Sequence, residues 1–188
     1  TGKYMSDAGA VDCLNCTVGT HQSSEQATTC DACGKGQHQD ESGKPLCKNC
    51  TEGKAASATG TVNCLDCNPG SKGPTVGLKE CTTCDEGQHQ TASGENECIE
   101  CIEGKFMSEV GAVNCLDCNP GSSENQTGST LCKACSKGQH QDASGNETCL
   151  GCKVGQYMNG NGAVNCLDCN SGLYQNERGQ VTCKPCDL

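Results

Sequence analysis

Cysteine is the residue type in this sequence that is best able to do chemistry, and its spacing is regular. The 188 residues include 22 cysteines, which form eleven C-x-x-C pairs from Cys13 and Cys16 to Cys183 and Cys186. The seventeen-residue interval from the start of one pair to the start of the next is the same throughout, without an insertion or a deletion. Because insertions in ordinary surface loops cost little, this spacing predicts that each repeat stacks on its neighbour in a fixed geometry.

Two of the three chemistries open to C-x-x-C fit this sequence poorly. A zinc site built from two such pairs usually has about 15–20 residues between them, whereas 13 residues separate them here, and eleven pairs cannot be divided into twos. Redox catalysis of the thioredoxin type needs a βαβ context and a thiolate at a helix N-terminus, and no amphipathic helical pattern is present. The third chemistry, a ladder of structural disulfides in an oxidising compartment, is favoured.

Two disulfide connectivities compete. Pairing whole C-x-x-C pairs with their neighbours leaves one of the eleven unpaired, whereas joining the second Cys of each pair to the first Cys of the next closes ten equal loops. The second arrangement is favoured and predicts the bonds Cys16–Cys30, Cys33–Cys47, Cys50–Cys64, Cys67–Cys81, Cys84–Cys98, Cys101–Cys115, Cys118–Cys132, Cys135–Cys149, Cys152–Cys166 and Cys169–Cys183. We expect Cys13 and Cys186 to find partners in further repeats beyond this segment.

The elements that position these cysteines must be short and rich in turns. A first Gly recurs three residues after the second Cys of each pair, and a second Gly precedes the first Cys by four residues, with Gln26 as the exception. These two columns hold 21 of the 25 glycines. A Gly at a fixed place marks a turn with positive φ or a close backbone approach. Two turns in each repeat predict one hairpin with strands of three to four residues.

Every aromatic or imidazole ring of the protein occupies one position, two residues after the first Gly, which we call the ring slot. The rings are those of Tyr4, His21, His38, His89, Phe106, His140, Tyr157 and Tyr174, and the other repeats carry Ala55, Lys72 and Ser123 there. We expect each ring to pack over a disulfide or a Gly and to form the apolar core of its repeat. Because Tyr, Phe, Ala and Ser share the slot with His, it is not expected to be a metal-ligand position.

A longer period, equal to three repeats, overlies the short one. The segments GAVDCLNC (9–16), GTVNCLDC (60–67) and GAVNCLDC (111–118 and 162–169) recur at this spacing, as do GQHQD (36–40), GQHQT (87–91) and GQHQD (138–142). The repeats therefore come in three kinds in a fixed order. About three repeats per superhelical turn would explain this phasing, and so would a triplication without structural meaning.

The composition excludes several classes of function. Leu, Ile, Val and Phe together make up fewer than one residue in eight, and the net charge is −10, which argues against a large enzyme core and against binding to nucleic acid. No apolar run approaches the roughly 20 residues that a membrane span needs. The acidic pairs Asp40-Glu41 and Asp85-Glu86 lack a calcium-loop pattern, so a solvated acidic surface is expected there.

One repeated element resembles known modules. The pattern C-x-x-G-x-[ring]-x₈-C, as in CKVGQYMNGNGAVNC (152–166) and CNSGLYQNERGQVTC (169–183), resembles the opening module of tumour-necrosis-factor-receptor cysteine-rich domains and the ephrin-receptor-like cysteine-rich repeats. Long arrays of such modules are similar to cysteine-rich surface proteins of protists, such as the immobilisation antigens of ciliates. The resemblance covers essentially the whole chain and supports the ladder connectivity. It also implies that the Ala55, Lys72 and Ser123 repeats, which lack the ring, are the least well packed.

Four sequons predict N-glycosylation. Asn125 and Asn146 lie in loops and are the better acceptors, whereas Asn15 and Asn49 lie inside C-x-x-C pairs, so their modification must precede or tolerate disulfide formation. Chance also produces a few sequons in a sequence rich in Asn, Ser and Thr.

The sequence as a whole predicts a small, disulfide-rich, mostly irregular and β fold over residues 1–188. We expect a single elongated, solenoid-like array of about eleven repeats with short β-hairpins and no significant helix, as a segment of a longer repeat protein. The expected function is structural: an extracellular or cell-surface shaft of a coat or filament that self-associates or continues a longer chain, carries covalent glycans, is not an enzyme, and needs no cofactor or metal. No nucleic-acid partner and no direct membrane insertion of this segment are expected.

Two alternatives to the structural role remain open at this point. A receptor or adhesion ectodomain, or a surface antigen, would bind a protein ligand through exposed aromatic or Arg hot spots, but the sequence has one Arg, Arg178, and no Trp. A zinc-binding C-x-x-C array is the other alternative.

Overall fold

The structure, a computed structural model, describes residues 1–7 and 9–186. These residues form eleven antiparallel hairpins and contain no helix. The hairpins pair β1 (Lys3–Tyr4) with β2 (Leu14–Asn15), β3 (Thr20–His21) with β4 (Asp31–Ala32), β5 (Gln37–His38) with β6 (Lys48–Asn49), β7 (Lys54–Ala55) with β8 (Leu65–Asp66), β9 (Ser71–Lys72) with β10 (Thr82–Thr83), β11 (Gln88–His89) with β12 (Ile99–Glu100), β13 (Lys105–Phe106) with β14 (Leu116–Asp117), β15 (Ser122–Ser123) with β16 (Lys133–Ala134), β17 (Gln139–His140) with β18 (Leu150–Gly151), β19 (Gln156–Tyr157) with β20 (Leu167–Asp168), and β21 (Leu173–Tyr174) with β22 (Lys184–Pro185). The predicted fold of short hairpins without helices is confirmed.

The strands are shorter than the three to four residues expected, because the chain leaves its own hairpin to bond with neighbouring repeats. After the ring slot, the N–H of Gln39 donates to the carbonyl of Thr61 (3.1 Å), and the carbonyl of Gln39 accepts from the N–H of Gly19 (2.7 Å). Because the N–H and the carbonyl of this residue both bond to other repeats, neither is available for pairing within its own hairpin. Each hairpin pairing therefore stops after two residues.

Three backbone hydrogen bonds recur between repeats. The first Gly donates to the carbonyl that follows the ring slot of the next repeat, and the residue after the ring slot donates to the carbonyl that follows the second Gly of the next repeat. The second Gly donates to the carbonyl of a buried Cys earlier in the chain, as from Gly43 to Cys16 (2.8 Å) and from Gly162 to Cys135 (2.7 Å). Fixed pairings of this kind explain why the regular spacing tolerates no insertion.

Both explanations offered for the recurring glycines apply. All 21 glycines of the two columns have positive φ, and Gln26 (φ 59°), which replaces the second Gly, is the only other residue with positive φ among residues 1–7 and 9–186. In most repeats the first Gly also makes a close approach: a Cβ on Gly36 would overlap the carbonyl oxygen of Gly77, whereas a Cβ on Gly155 or Gly172 would meet nothing within 4 Å.

Contacts divide the chain into two compact units. The first comprises Thr1–Cys84 and Gln90–Cys98, and the second comprises Asp85–His89 and Ile99–Leu188. Each unit contains the same hairpins, disulfides and inter-repeat bonds. The expectation that the eleven repeats form one array stays a prediction.

The buried interior lies one residue beyond the position expected. The ring-slot side chains are half-buried or exposed, with Ala55 (8 % exposed) as the buried exception, so the prediction that rings form the core is wrong. The buried residues are mainly the second cysteines of the pairs from Cys16 to Cys152, at 0–1 % exposed, the first glycines from Gly2 to Gly138, and most of the residues that follow the ring slot. We call this position the inner row; it comprises Met5, Gln22, Gln39, Ala56, Gly73, Gln90, Met107, Glu124, Gln141, Met158 and Gln175, of which Met5 and Met158 are half-buried.

Candidate functional site: the disulfide ladder and the inner row

The ten disulfides join the cysteine pairs of the ladder described above. Each bond links the second Cys of one pair to the first Cys of the next, 14 residues later, with Cα atoms 5.5–5.8 Å apart. The two sulfurs differ in access: in the bond Cys33–Cys47, Cys33 is fully buried and Cys47 is half-buried. A thiol in solution can therefore approach such a bond from one side only.

The ring slot of one repeat covers the disulfide of the next. The Nδ1 atom of His21 lies 3.3 Å from the sulfur of Cys47, and the same contact joins His38 to Cys64 (3.3 Å). It recurs at His140 and Cys166 (3.4 Å) and, with a hydroxyl in place of the ring, at Ser123 and Cys149 (3.3 Å). The side chain in the slot therefore lies over the accessible sulfur, 26 residues further along the chain.

Three of these contacts bring a His and two cysteines together: His21, Cys33 and Cys47; His38, Cys50 and Cys64; and His140, Cys152 and Cys166. In each group the potential ligand atoms lie within 4.8 Å of one another. A cysteine ligates metal as a thiolate, and all six cysteines are oxidised to disulfides in this structure. In this state the groups do not have the donor set that a Cys/His metal centre requires.

Glutamine side chains of the inner row close the loops of their repeats. The Nε2 of Gln39 donates to the carbonyl of Leu46 (2.7 Å), and its Oε1 accepts from the N–H of Glu41 (3.0 Å). The same pair of bonds is made by Gln22, Gln90, Gln141 and Gln175. A buried amide with donor and acceptor both satisfied holds the hairpin loop against the disulfide.

Glu124 replaces the amide by a carboxylate. Its side chain is 2 % exposed, and Oε1 accepts from the N–H groups of Asn125 (3.0 Å) and Gln126 (3.1 Å) and from Nζ of Lys133 (3.3 Å). Main-chain donors together with a cation compensate the burial of this charge.

An exposed ion-pair cluster lies beside Gln39. Nζ of Lys48 lies 2.7 Å from Asp40 and 3.1 Å from Glu41, and Lys44 lies 2.8 Å from Glu41. The hydrogen bond from Lys48 lowers the pKa of Asp40, the bonds from Lys44 and then Lys48 lower the pKa of Glu41, and Asp40 and Glu41 raise the pKa of Lys48. The acidic pair Asp40-Glu41 is thus neutralised by lysines of its own loop.

The four sequon asparagines differ in their surroundings. Asn125 is exposed, and its side chain makes no hydrogen bond to the described residues. Asn146 is half-buried and donates from Nδ2 to the carbonyl of Ala143 (3.2 Å). Asn15 and Asn49 lie on exposed strands, and Oδ1 of Asn49 accepts from Gln37 (3.1 Å).

Cys13 and Cys186 are both exposed and unpaired in the described part of the chain. Their pairing with further repeats stays a prediction. Within residues 1–7 and 9–186 there is no helix of the length and apolarity that a membrane crossing requires.

The inner row is the feature that sequence reasoning misses. Its signal is present in the sequence, since Gln recurs immediately after the ring slot in five of the eleven repeats. Sequence reasoning assigns the core to the rings one residue earlier, because it expects stability from apolar burial and not from amide hydrogen bonding.

A family model described as tyrosine-protein kinase ephrin type A/B receptor-like matches residues 2–50, 87–131 and 155–188, which together make up more than half of the chain. No curated protein matches it. The matched ranges contain the same C-x-x-C pairs, glycine turns and disulfides as the rest of the array, and on this match the chain belongs to the ephrin-receptor-like cysteine-rich family.

Proposed function

We propose that the chain is a non-enzymatic extracellular structural protein that forms the disulfide-laddered shaft of a cell-surface coat or filament. The observation that carries the proposal is the uniformity of the junctions: the same three backbone hydrogen bonds between repeats recur within each compact unit. In a linear repeat protein each repeat is stabilised by its neighbours. When all junctions are alike, further repeats can be added through the same contacts.

An extracellular location is consistent with the family and with the cysteine chemistry. Ten disulfides in 188 residues persist in an oxidising compartment and are rare in the cytosol of mesophiles. Few large apolar side chains are buried among the described residues, so the covalent loops supply stability that a core would supply elsewhere.

Electron microscopy of the native material tests this proposal. We expect long fibres or a regular surface layer with a spacing commensurate with the three-repeat period. Isolated short monomers that bind a soluble ligand tightly would overturn it and would favour a receptor or adhesion ectodomain. Thiol titration with and without reductant is the companion measurement, because more than two free thiols per chain would contradict the ladder.

We also propose that the surface carries N-linked glycans, with Asn125 as the principal acceptor. The support is its exposure and the absence of a side-chain hydrogen bond to the described residues, whereas a glycan on Asn146 would displace its bond to Ala143. Peptide mass spectrometry before and after endoglycosidase treatment of native protein should show the highest occupancy at Asn125. Occupancy at Asn146 alone would contradict this order.

A further inference from the structure

One repeat departs from its sister repeats at the ring slot. The four repeats of the first kind, which contain the recurring segment G-[AT]-V-[DN]-C-L, place Tyr4, Ala55, Phe106 and Tyr157 in the slot. Each of these residues is paired across its hairpin with a Leu, namely Leu14, Leu65, Leu116 and Leu167. Among these four repeats, the Ala55 repeat is therefore the one in which the Leu has no aromatic ring opposite it.

The missing ring leaves its Leu partner uncovered. Leu65 is 74 % exposed, whereas Leu14, Leu116 and Leu167 are 53 %, 54 % and 50 % exposed. Since the strand pairing is the same in all four hairpins, we attribute the difference to the side chain opposite. Apolar surface left in water in this way costs free energy that an added ring would recover.

The missing ring also affects a disulfide. In four other repeats the slot side chain contacts a cysteine sulfur 26 residues later, and the same offset leads from Ala55 to Cys81. Ala55 and Cys81 do line one cavity of about 250 Å³, together with Leu65. The rest of its lining is polar and consists of Ser57, Asp66, Asn68, Ser71, Lys79 and Glu80.

We propose that this cavity binds the aromatic ring of a Phe or Tyr side chain from another polypeptide. Ala55, Leu65 and Cys81 form its apolar lining, and an apolar surface beside a disulfide sulfur suits a flat ring. The same place in the sister repeats is assigned to a Tyr or Phe of the chain itself, so the complementary group is defined by the protein's own sequence. The polar side chains of the lining could form hydrogen bonds with the main chain to which such a ring is attached.

The Ser123 repeat provides a contrast of chemistry within the same chain. Ser123 also leaves a cavity beside its disulfide, of about 380 Å³, but that cavity is lined by Lys133, Glu147 and Asn125 and contains no large aliphatic side chain. Ser123 itself already contacts the sulfur of Cys149. The apolar lining beside Leu65 is therefore not reproduced at the Ser123 repeat.

The test is a titration of the full oxidised chain, with methyl-labelled Ala and Leu, followed by NMR. The probe is N-acetyl-L-phenylalanine amide, with N-acetyl-glycine amide and N-acetyl-L-leucine amide as controls. We expect saturable shifts at the methyl groups of Ala55 and Leu65 with the aromatic probe, and at least tenfold weaker binding of the other two. No saturable shift with the aromatic probe, or equal binding of the leucine amide, would overturn the proposal.

Two variants have opposite expected effects on probe binding: one removes the site and the other creates a second site. Ala55→Phe fills the cavity from within, so it should abolish the shifts at Leu65 and raise the melting temperature. Phe106→Ala opens the equivalent place beside Leu116 and should create a second set of saturable shifts there. Persistence of probe binding at Leu65 in Ala55→Phe, or a lowered melting temperature of that variant, would contradict a ring-shaped site, and this readout does not depend on the folding of Phe106→Ala.

Discussion

The ring slot and the inner row are adjacent in sequence and differ in what they contribute to the repeat. His38 is half-buried and touches the sulfur of Cys64, whereas Gln39 is 1 % exposed and makes two side-chain and two main-chain hydrogen bonds. In this repeat the polar residue is thus the buried one, and the ring beside it covers a disulfide sulfur. A fold with hardly any apolar interior places its hydrogen-bonding groups where other proteins place Leu or Phe.

The two rows also tolerate different substitutions. The ring slot contains Tyr, Phe, His, Ala, Lys and Ser, and the inner row contains Gln, Met, Ala, Gly and Glu. In the inner row the Gln repeats satisfy loop groups through the side chain, while Met107 fills its buried position with volume alone (7 % exposed). If this contrast is right, changes that reach the inner row destabilise more than changes in the ring slot.

The largest loss of stability is expected where a first Gly lies directly against the carbonyl of a second Gly from a later repeat. Gly36→Ala and its control Gly155→Ala both impose a side chain at positive φ (80° and 83°), and both glycines donate to an inner-row carbonyl. A Cβ on Gly36 overlaps the carbonyl of Gly77, whereas nothing lies within 4 Å of a Cβ on Gly155.

We therefore expect Gly155→Ala to lower the free energy of unfolding by about 1–2 kcal/mol and Gly36→Ala by about 1–3 kcal/mol more. Urea denaturation with the disulfides intact measures both. Equal losses in the two variants would mean that the close approach to Gly77 does not constrain the junction.

Gln39→Met should be the next most damaging change, because it keeps volume and removes hydrogen bonds. It leaves the carbonyl of Leu46 and the N–H of Glu41 without their partners, at a cost of about 1–3 kcal/mol. The control is Gln37→Met on the neighbouring strand, whose side chain bonds Asn49 at the surface and whose loss should stay within about 0.5 kcal/mol. A Gln39→Met variant as stable as the wild type would show that the inner row depends on volume alone.

His38→Ala tests the ring slot itself and should cost less than Gln39→Met. We expect a loss of free energy of unfolding of about 0.5–1 kcal/mol, since the side chain is only half-buried, together with faster cleavage of Cys50–Cys64 by glutathione. Differential alkylation and mass spectrometry give the rate of cleavage at each bond, and Cys33–Cys47, which keeps His21, is the internal control. An unchanged rate of Cys50–Cys64 cleavage would show that the ring of His38 does not protect this disulfide.

The disulfide ladder and the turns could be predicted because the regular spacing and the odd number of C-x-x-C pairs favour one connectivity, and the glycines recur at fixed places. A bond across 14 residues at every repeat leaves little choice of partner, and recurring Gly demands positive φ or close approach, both of which are found. The family match agrees with the resemblance carried by the C-x-x-G pattern. The missing ring at Ala55 is visible in the sequence as a departure from the ring column, although its exposed Leu65 and its cavity are not.

The strand length could not be predicted because it depends on bonds between repeats, and the recurring Gln of the inner row does not by itself indicate burial. The side chain of Gln39 bonds to groups within its own loop, and its main chain bonds to Gly19 and Thr61, in the repeats before and after. The recurrence of Gln after the ring slot is visible in the sequence, but it does not point to burial because Gln is ordinarily a surface residue. Hydrophobic periodicity, the usual guide to burial, therefore points to the ring one position too early.

The smallest effect is expected outside both rows, at the exposed ion-pair cluster of Asp40, Glu41, Lys44 and Lys48. Because Lys48 lowers the pKa of Asp40, and Lys44 and then Lys48 lower the pKa of Glu41, these ion pairs stabilise the folded state above the ordinary carboxyl pKa of about 4. This contribution is lost as the pH falls through the lowered pKa values. Lys48→Met should raise the pKa of Asp40 towards its ordinary value, and Lys44→Met should raise that of Glu41 while leaving Asp40 unchanged. Carboxyl-carbon NMR titration measures both carboxyls, and an equal shift of Asp40 in the two variants would contradict the assignment. Since all four side chains are exposed, the melting temperatures of both variants should hardly differ from that of the wild type at neutral pH.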